Sequence, residues 1–449
     1  MDECCALFKV PPKIIISVRY NMDYAINFFY TVIGLLYLVY FFLLYRSYKR
    51  GFLFTFVNMS VLYYFIFYVV PYDVIVSGQN YDHASFTPAY YWMSFYYSVL
   101  VVSAGIFYNI ALFSGGVCPL GNRKIRLTTS DARVVKDRHV AFFVVIKILL
   151  LLFGFTPFQI ALFYGDFSGA HILQKEMHTT SGYNALGLFY GFVGPVTAVV
   201  FIVRACTTRN HIYRIFLLLA AVETAGWYFS KSRFAVALLT FFILYFWSSR
   251  INIFALASVL ASIVYVAFSF RLGGVVDYLY VWDVFLSRVV SETGYSLIHL
   301  DLINQANPPL AFSDRYYLGF RTLFGIEPAG DWSREAYYLE TGREGATSSG
   351  YAPIYLYAFW GWYWVIVAPI LLLFICRVDA FLAKKVARAD FIRASYVFIS
   401  LSIVNAVTVN LTRVIDYRFI INPNLLITVA FFAIVYFSLT RKRAKNLGV

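Results

Sequence analysis

The sequence predicts an all-α protein, a polytopic bundle of about eleven transmembrane helices with one large, partly helical outer loop. Three observations predict it. The 449 residues are 61% hydrophobic and only 13% charged, whereas soluble domains carry about a quarter of their residues charged. The apolar residues gather into runs of about 20, the length that spans a bilayer as a helix. Basic residues collect between alternate runs, the bias that sets orientation in membranes.

The runs fall near 25–45, 51–70, 91–114, 140–164, 183–203, 214–229, 234–248, 251–270, 353–376, 394–412 and 419–440. The short pair 214–229 and 234–248 reads as a helical hairpin. Three regions follow. Residues 1–270 form the first part of the bundle, with about eight spans and a small outer loop at 165–182. Residues 271–352 form the large loop, and residues 353–449 the last part of the bundle, with about three spans. The N-terminus lacks the pattern of a cleavable signal peptide, so the first run is expected to act as its own insertion signal. Residues 1–24 leave open a further interfacial or re-entrant segment.

Orientation comes from the cations. Arg46, Lys49 and Arg50, then Arg123 through Arg138, Arg204, Arg209 and Arg214, Arg250, Arg377 through Arg393, and the tail Arg441-Lys442-Arg443 all fall in one set of loops. That side is expected to be cytoplasmic, which accounts for the net charge of +14 without a nucleic-acid partner. Most acids fall on the opposite side. The 38 Tyr, 46 Phe and 8 Trp suit interfacial anchoring. Cys4, Cys5, Cys118, Cys206 and Cys376 have neither metal-ligand spacing nor a disulfide framework.

Chemistry is expected on the outer face. The large loop has six cations, Arg271, Arg288, Arg315, Arg321, Arg334 and Arg343, and no Lys. The guanidinium fork matches phosphate oxygens bidentately, so this set suits a pyrophosphate. Ten acids share the loop, and exposed ion pairing is the competing reading. Val281-Trp282, Phe285-Leu286 and Val289-Val290 repeat at helical spacing and suggest a surface-lying amphipathic helix. Arg233 begins a span, and Arg413 and Arg418 lie between the last two. A cation there meets a lipid-linked phosphate or snorkels to headgroups. His171, Lys175, Glu176 and His178 share the small loop without zinc-site spacing, and no metal is expected.

Two charges fall inside spans, Lys147 and Glu223. Intramembrane charge is costly and faces the bundle or a cavity. Lys147 is near enough to the cytoplasmic end to snorkel. The two charges can also pair, and proton coupling at Glu223 is a further reading.

Several features together resemble a known family. A basic turn, Arg46-Ser47-Tyr48-Lys49-Arg50, is followed at once by a second span. Ser232-Arg233 opens a span midway along the chain. One small and one large outer loop are present. The large one ends in Gly345-Ala346-Thr347-Ser348-Ser349-Gly350-Tyr351, before a span with Phe359-Trp360-Gly361-Trp362. Arg334 and Gly345 have an Arg-x10-Gly spacing, and in the small loop His171 and Gly182 have it without the Arg. This pattern is similar to the O-antigen polymerase (Wzy) family, oligosaccharide-repeat-unit polymerases related to the O-antigen ligases.

The resemblance implies a GT-C-like glycosyltransferase of the bacterial inner membrane, with its active face periplasmic. It would join undecaprenyl-pyrophosphate-linked glycans and need no cofactor. It implies catalytic roles for Arg334 and Arg233, with Glu292 or His299 as candidate bases. Arg315, Arg321, Arg413, Arg418 and Lys175 would bind pyrophosphate. Tyr316, Tyr317, Trp332 and Tyr338 would stack on sugars, or anchor at the interface. Membrane lipids are expected partners, and a chain-length regulator is a further candidate. The alternatives are an O-antigen ligase, whose His–Asn–Tyr run is absent from the large loop, a peptidoglycan polymerase of the shape–elongation–division type, which also has a large outer loop but whose motifs are absent, and a non-enzymatic flippase or transporter.

Overall fold

The computed structural model describes residues 12–49, 54–69, 88–114, 135–165, 189–226, 231–246, 277–283, 360–386, 390–405 and 427–437, with single positions 169, 173, 258, 261, 262, 265, 353, 356 and 357. Every regular element among the described residues is helical. We number them α1 (Pro12–Lys49), α2 (Phe56–Tyr64), α3 (Pro88–Ser114), α4 (Asp137–Leu150), α5 (Pro157–Tyr164), α6 (Gly194–Thr207), α7 (His211–Ala225), α8 (Lys231–Phe246), α9 (Trp364–Val386), α10 (Asp390–Asn405) and α11 (Ile427–Phe437). Three stretches are long and apolar enough to cross a membrane: Phe28–Tyr48, Trp92–Phe113 and Gly361–Lys384. Their exposed faces carry Leu38, Phe42, Phe107, Ile366, Ile370 and Phe374, the surface expected where lipid replaces water.

Between helices in lipid, apolar burial supplies little drive, so close packing and interhelical hydrogen bonds hold the bundle. One group is α1, α2, α3 and α9. Gly105 of α3 lets the Tyr40 ring of α1 lie against the backbone, where an added Cβ would be 2.8 Å from Tyr40 Cε2. The Tyr40 hydroxyl donates to the Asn58 carbonyl of α2 (3.2 Å). Asn109 of α3 donates to Asn58 Oδ1 (2.9 Å) and accepts from Ser47 of α1. Tyr96 of α3 donates to the Val365 carbonyl (2.7 Å), and Lys384 Nζ donates to the Ala111 carbonyl (3.2 Å). These pairings make α1, α3 and α9 run parallel, and α2 runs antiparallel to them, since Tyr64 at its end meets Ser98 of α3 while Asn58 near its start meets Asn109.

The second group centres on α6, which is buried nearly all round from Val196 to Val203, as a helix enclosed by others must be. It packs on α4, α7, α8 and α10. Helix α10 also meets α2 and α9, and so joins the two groups. Helices α7 and α8 form the expected hairpin. The start of α7 meets the end of α8, with the Arg214 guanidinium 5.0 Å from the Tyr245 ring centroid. The end of α7 meets the start of α8, where Gly226 lies under the Phe234 ring.

Three boundaries differ from the hydropathy reading. Run 140–164 is two helices: after α4 a tight turn, Leu151–Phe153, leads into Gly154 (φ 121), and Thr156 starts α5. Thr156 and Gln159 form a reciprocal capping box with Pro157 at the first helical position, a strong helix start. Hydropathy is continuous across this break and hides it. The stretch 377–393, expected as a cytoplasmic loop, is largely helical. Asp379 within it is 4% exposed and Arg393 5%. Helix α1 begins at Pro12, well before the first apolar run. In the large loop, residues 278–283 are helical, with Asp277 Oδ1 accepting from the Leu279 amide (3.4 Å) and Val281 buried. The rest of the proposed amphipathic helix lies outside the described residues, as does most of run 251–270.

Candidate functional site

The charge that sequence placed inside the bundle gathers at one point. Lys147 of α4 forms an ion pair with Glu223 of α7, the two side chains being 13% and 9% exposed. Lys147 therefore does not snorkel to an interface; its ammonium also donates to Thr224 Oγ1 (2.7 Å) and to the Ala220 carbonyl (3.4 Å). Its Nζ lies 5.9 Å from the Tyr190 ring centroid and 5.8 Å from that of Phe201. The second carboxylate oxygen, Oε1, accepts from the Tyr190 hydroxyl (2.9 Å) and from Gln159 Nε2 (3.1 Å).

Local sequence explains each contribution. Gln159 reaches inward because the break at Gly154 and the cap at Thr156 set the direction of α5. Tyr190 belongs to a wide π-type turn, Phe189–Val193, that leads into α6; such turns commonly mark functional positions. Gly194 allows α6 close to α7, where a Cβ would meet the Thr224 carbonyl at 3.3 Å. Burying two charges costs more than their attraction returns unless the remaining polar atoms are satisfied, and here the partners come from α4, α5, α7 and the π-type turn.

A second polar contact lies ten residues earlier on both α4 and α7, about 15 Å away at 1.5 Å per residue. Asp137 accepts bidentately from Arg204 of α6, Nε to Oδ1 and Nη2 to Oδ2, both at 2.8 Å. The Tyr213 hydroxyl of α7 donates to the same Oδ1 (3.1 Å). Hydrogen bonding from Arg204, more than its charge alone, holds the Asp137 carboxyl below its ordinary value. This contact and Arg214 mark the basic end of the bundle; Glu223 lies towards the other end.

Of the residues singled out from sequence for function, Arg233 falls within the described residues. It is exposed in the first turn of α8, at the end away from Asp137. Arg334, Glu292, His299, Arg315, Arg321, Arg413, Arg418, Lys175, Tyr316, Tyr317, Trp332 and Tyr338 lie outside them. Sequence reasoning found Lys147 and Glu223 as charges in apolar runs but missed Gln159, Tyr190 and Thr224. The Thr156-Pro157-Phe158-Gln159 capping signature was legible and would have located the break beside them. Among the described residues no three of His, Cys, Asp and Glu converge as metal ligands.

No family model, curated protein or solved structure matches this chain.

Proposed function

We propose that the protein polymerises undecaprenyl-pyrophosphate-linked oligosaccharide repeat units on the periplasmic face of the bacterial inner membrane, making O-antigen or a related surface polysaccharide. The observation that carries this reading is the segregation of charge along the chain. Apolar runs enclose an 82-residue segment, 271–352, whose cations are all arginine, on the side opposite the basic loops. The helical bundle, and the exposure of Arg233 at the end away from the basic one, support it.

The reaction breaks the bond between an anomeric carbon and the pyrophosphate oxygen of the donor chain. A hydroxyl of the incoming unit forms the new bond to that carbon and loses its proton to a base, for which Glu292 and His299 are the candidates. Negative charge grows on the departing pyrophosphate, and preorganised cations at that point are the largest source of rate. Arg334 and Arg233 take this role, with Arg315, Arg321, Arg413, Arg418 and Lys175 holding the phosphates. Tyr316, Tyr317, Trp332 and Tyr338 offer faces to the sugars. Arginine supplies the charge, so the mechanism requires no metal. The placement of Lys147 and Glu223 within the bundle favours a second reading, a flippase or transporter, since such charge marks transport pathways.

The test is a lipopolysaccharide gel from a deletion strain. Collapse of the ladder to lipid A–core with a single repeat supports the polymerase. Core with no repeat shifts the reading to a ligase or a flippase. An unchanged ladder excludes O-antigen as the product.

A further inference from the structure

Glu223 and Arg233 stand at the same end of the α7–α8 hairpin, and a chain of contacts links them through α5. Phe158 and Gln159 are neighbours on α5. Gln159 donates to Glu223 Oε1 at 3.1 Å. Phe158 packs on Phe234, with ring centroids 5.0 Å apart and planes at 54°. Phe234 directly follows Arg233, and its ring covers Gly226, where an added Cβ would be 2.7 Å from Cε1. The residue after Arg233 is therefore wedged between α5 and the end of α7, and the carboxylate that ties α5 to α7 is three residues before that wedge.

Helix α5 needs such a tie. It has eight residues and is bounded by Gly154 (φ 121) and Gly165 (φ 64). Positive φ at both glycines turns the backbone on either side of α5, so side-chain contacts with other helices hold it in place. Glu223 holds it through Gln159, and is itself fixed by Lys147 from α4 and Tyr190 from the π-type turn.

We propose that Glu223 is a positioning residue for Arg233: through Gln159 and the Phe158–Phe234–Gly226 wedge it fixes where the first turn of α8 presents its guanidinium. The proposal rests on the reading of Arg233 as a ligand of the leaving pyrophosphate. It assigns the buried ion pair a part in that reaction without contact to substrate. Displacing such a cation by about 1 Å is enough to cost on the order of 100-fold in rate.

The test uses the full-length protein in membrane vesicles supplied with lipid-linked repeat units. Benzoylphenylalanine at position 158 reports the wedge by photocross-linking to the segment around Phe234, whether or not polymer is made. Glu223→Gln is expected to lower this cross-link at least fivefold and polymer at least tenfold, at unchanged protein level. Gln159→Leu keeps both charges of the ion pair and removes the bonds of Gln159 to Glu223 and to the Thr156 amide; it is expected to do the same, and keeps the test valid if Glu223→Gln folds poorly. Glu223→Gln combined with Arg233→Ala should make no less polymer than Arg233→Ala alone. An unchanged cross-link, unchanged polymer, or a further loss in the combined variant overturns the proposal. If Arg233→Ala makes full-length polymer while Glu223→Gln still weakens the cross-link, the reading of Arg233 fails and the proposal with it, leaving the wedge as architecture.

Discussion

Asp379 closes the N-terminus of a helix that lies 322 residues before it in the chain. Its Oδ2 accepts the Val57 amide of α2 at 3.1 Å. Its Oδ1 accepts from the Tyr396 hydroxyl at 2.5 Å, and the Tyr396 oxygen in turn accepts the Phe56 amide at 3.0 Å. Thr55, the residue at the N-cap of α2, makes no side-chain cap. The first amides of a helix have no partner within it, and here α9 and α10 supply those partners.

Replacing Asp379 by Ala leaves the Val57 amide and the Tyr396 hydroxyl buried without their acceptor. The expected cost is about 1–3 kcal/mol, seen as a lower midpoint for loss of the monodisperse protein on heating in detergent. A midpoint equal to that of the wild type would show that water or another group caps α2.

Single replacements of the Lys147–Glu223 pair are expected to be worse than a double one. Lys147→Met or Glu223→Leu leaves one buried charge, at a cost of about 3–5 kcal/mol. Lys147→Met with Glu223→Leu removes both charges and should recover most of that loss in the same melting assay. If the double variant is as unstable as the sum of the singles, the hydrogen bonds from Tyr190 and Gln159 matter more than charge balance.

Gly105 and Gly34 make a matched comparison within the bundle. Gly105→Ala forces a Cβ to 2.8 Å from the Tyr40 ring and 3.1 Å from Val61, an overpacking expected to cost about 1–3 kcal/mol. Gly34→Ala meets nothing within 4 Å and should stabilise α1 by about 0.5–1 kcal/mol, the helix-propensity difference. Melting shifts of the same sign for both would rule out the close approach at Gly105.

Asp137 gives the bundle a sensitivity to acid. Its carboxyl is held below its ordinary value, so the contact with Arg204 is in place at neutral pH and is lost as pH falls through the lowered value, below about 4. Because Asp137 is 65% exposed, the effect is worth no more than about 1 kcal/mol. The melting midpoint of Asp137→Asn should converge with that of wild type as the pH is taken below 4. A difference that persists there would mean the Tyr213 and Arg204 contacts survive protonation.

The helical class and the positions of most helices were legible in the sequence, because runs of apolar residues dominate it and chain length per span is fixed by the bilayer. The α7–α8 hairpin was legible for the same reason. The break at Gly154 was not, because Leu151, Leu152, Phe153 and Phe155 keep the hydropathy high where the backbone turns. The burial of Asp379 was missed on opposite grounds. A charge close to Arg377, Lys384 and Lys385 reads as loop, whereas its partners are a backbone amide 322 residues away and a tyrosine hydroxyl, which no local pattern announces. Lys147 and Glu223 stood out as charges among apolar neighbours. Gln159 and Tyr190 did not, because a lone amide or phenol in such a run has many equivalent placements, and only the fold selects one.

The cap on α2 also has a consequence in time. A ribosome adds about 5–20 residues per second, so the 322 residues between Val57 and Asp379 take roughly 15–60 s to make. Throughout that interval the first amides of α2 lack the carboxylate that will hold them. The early helices therefore wait, incompletely bonded, for the late ones, and a chain truncated before α9 would carry an unfinished polar end for the cell's proteases to find.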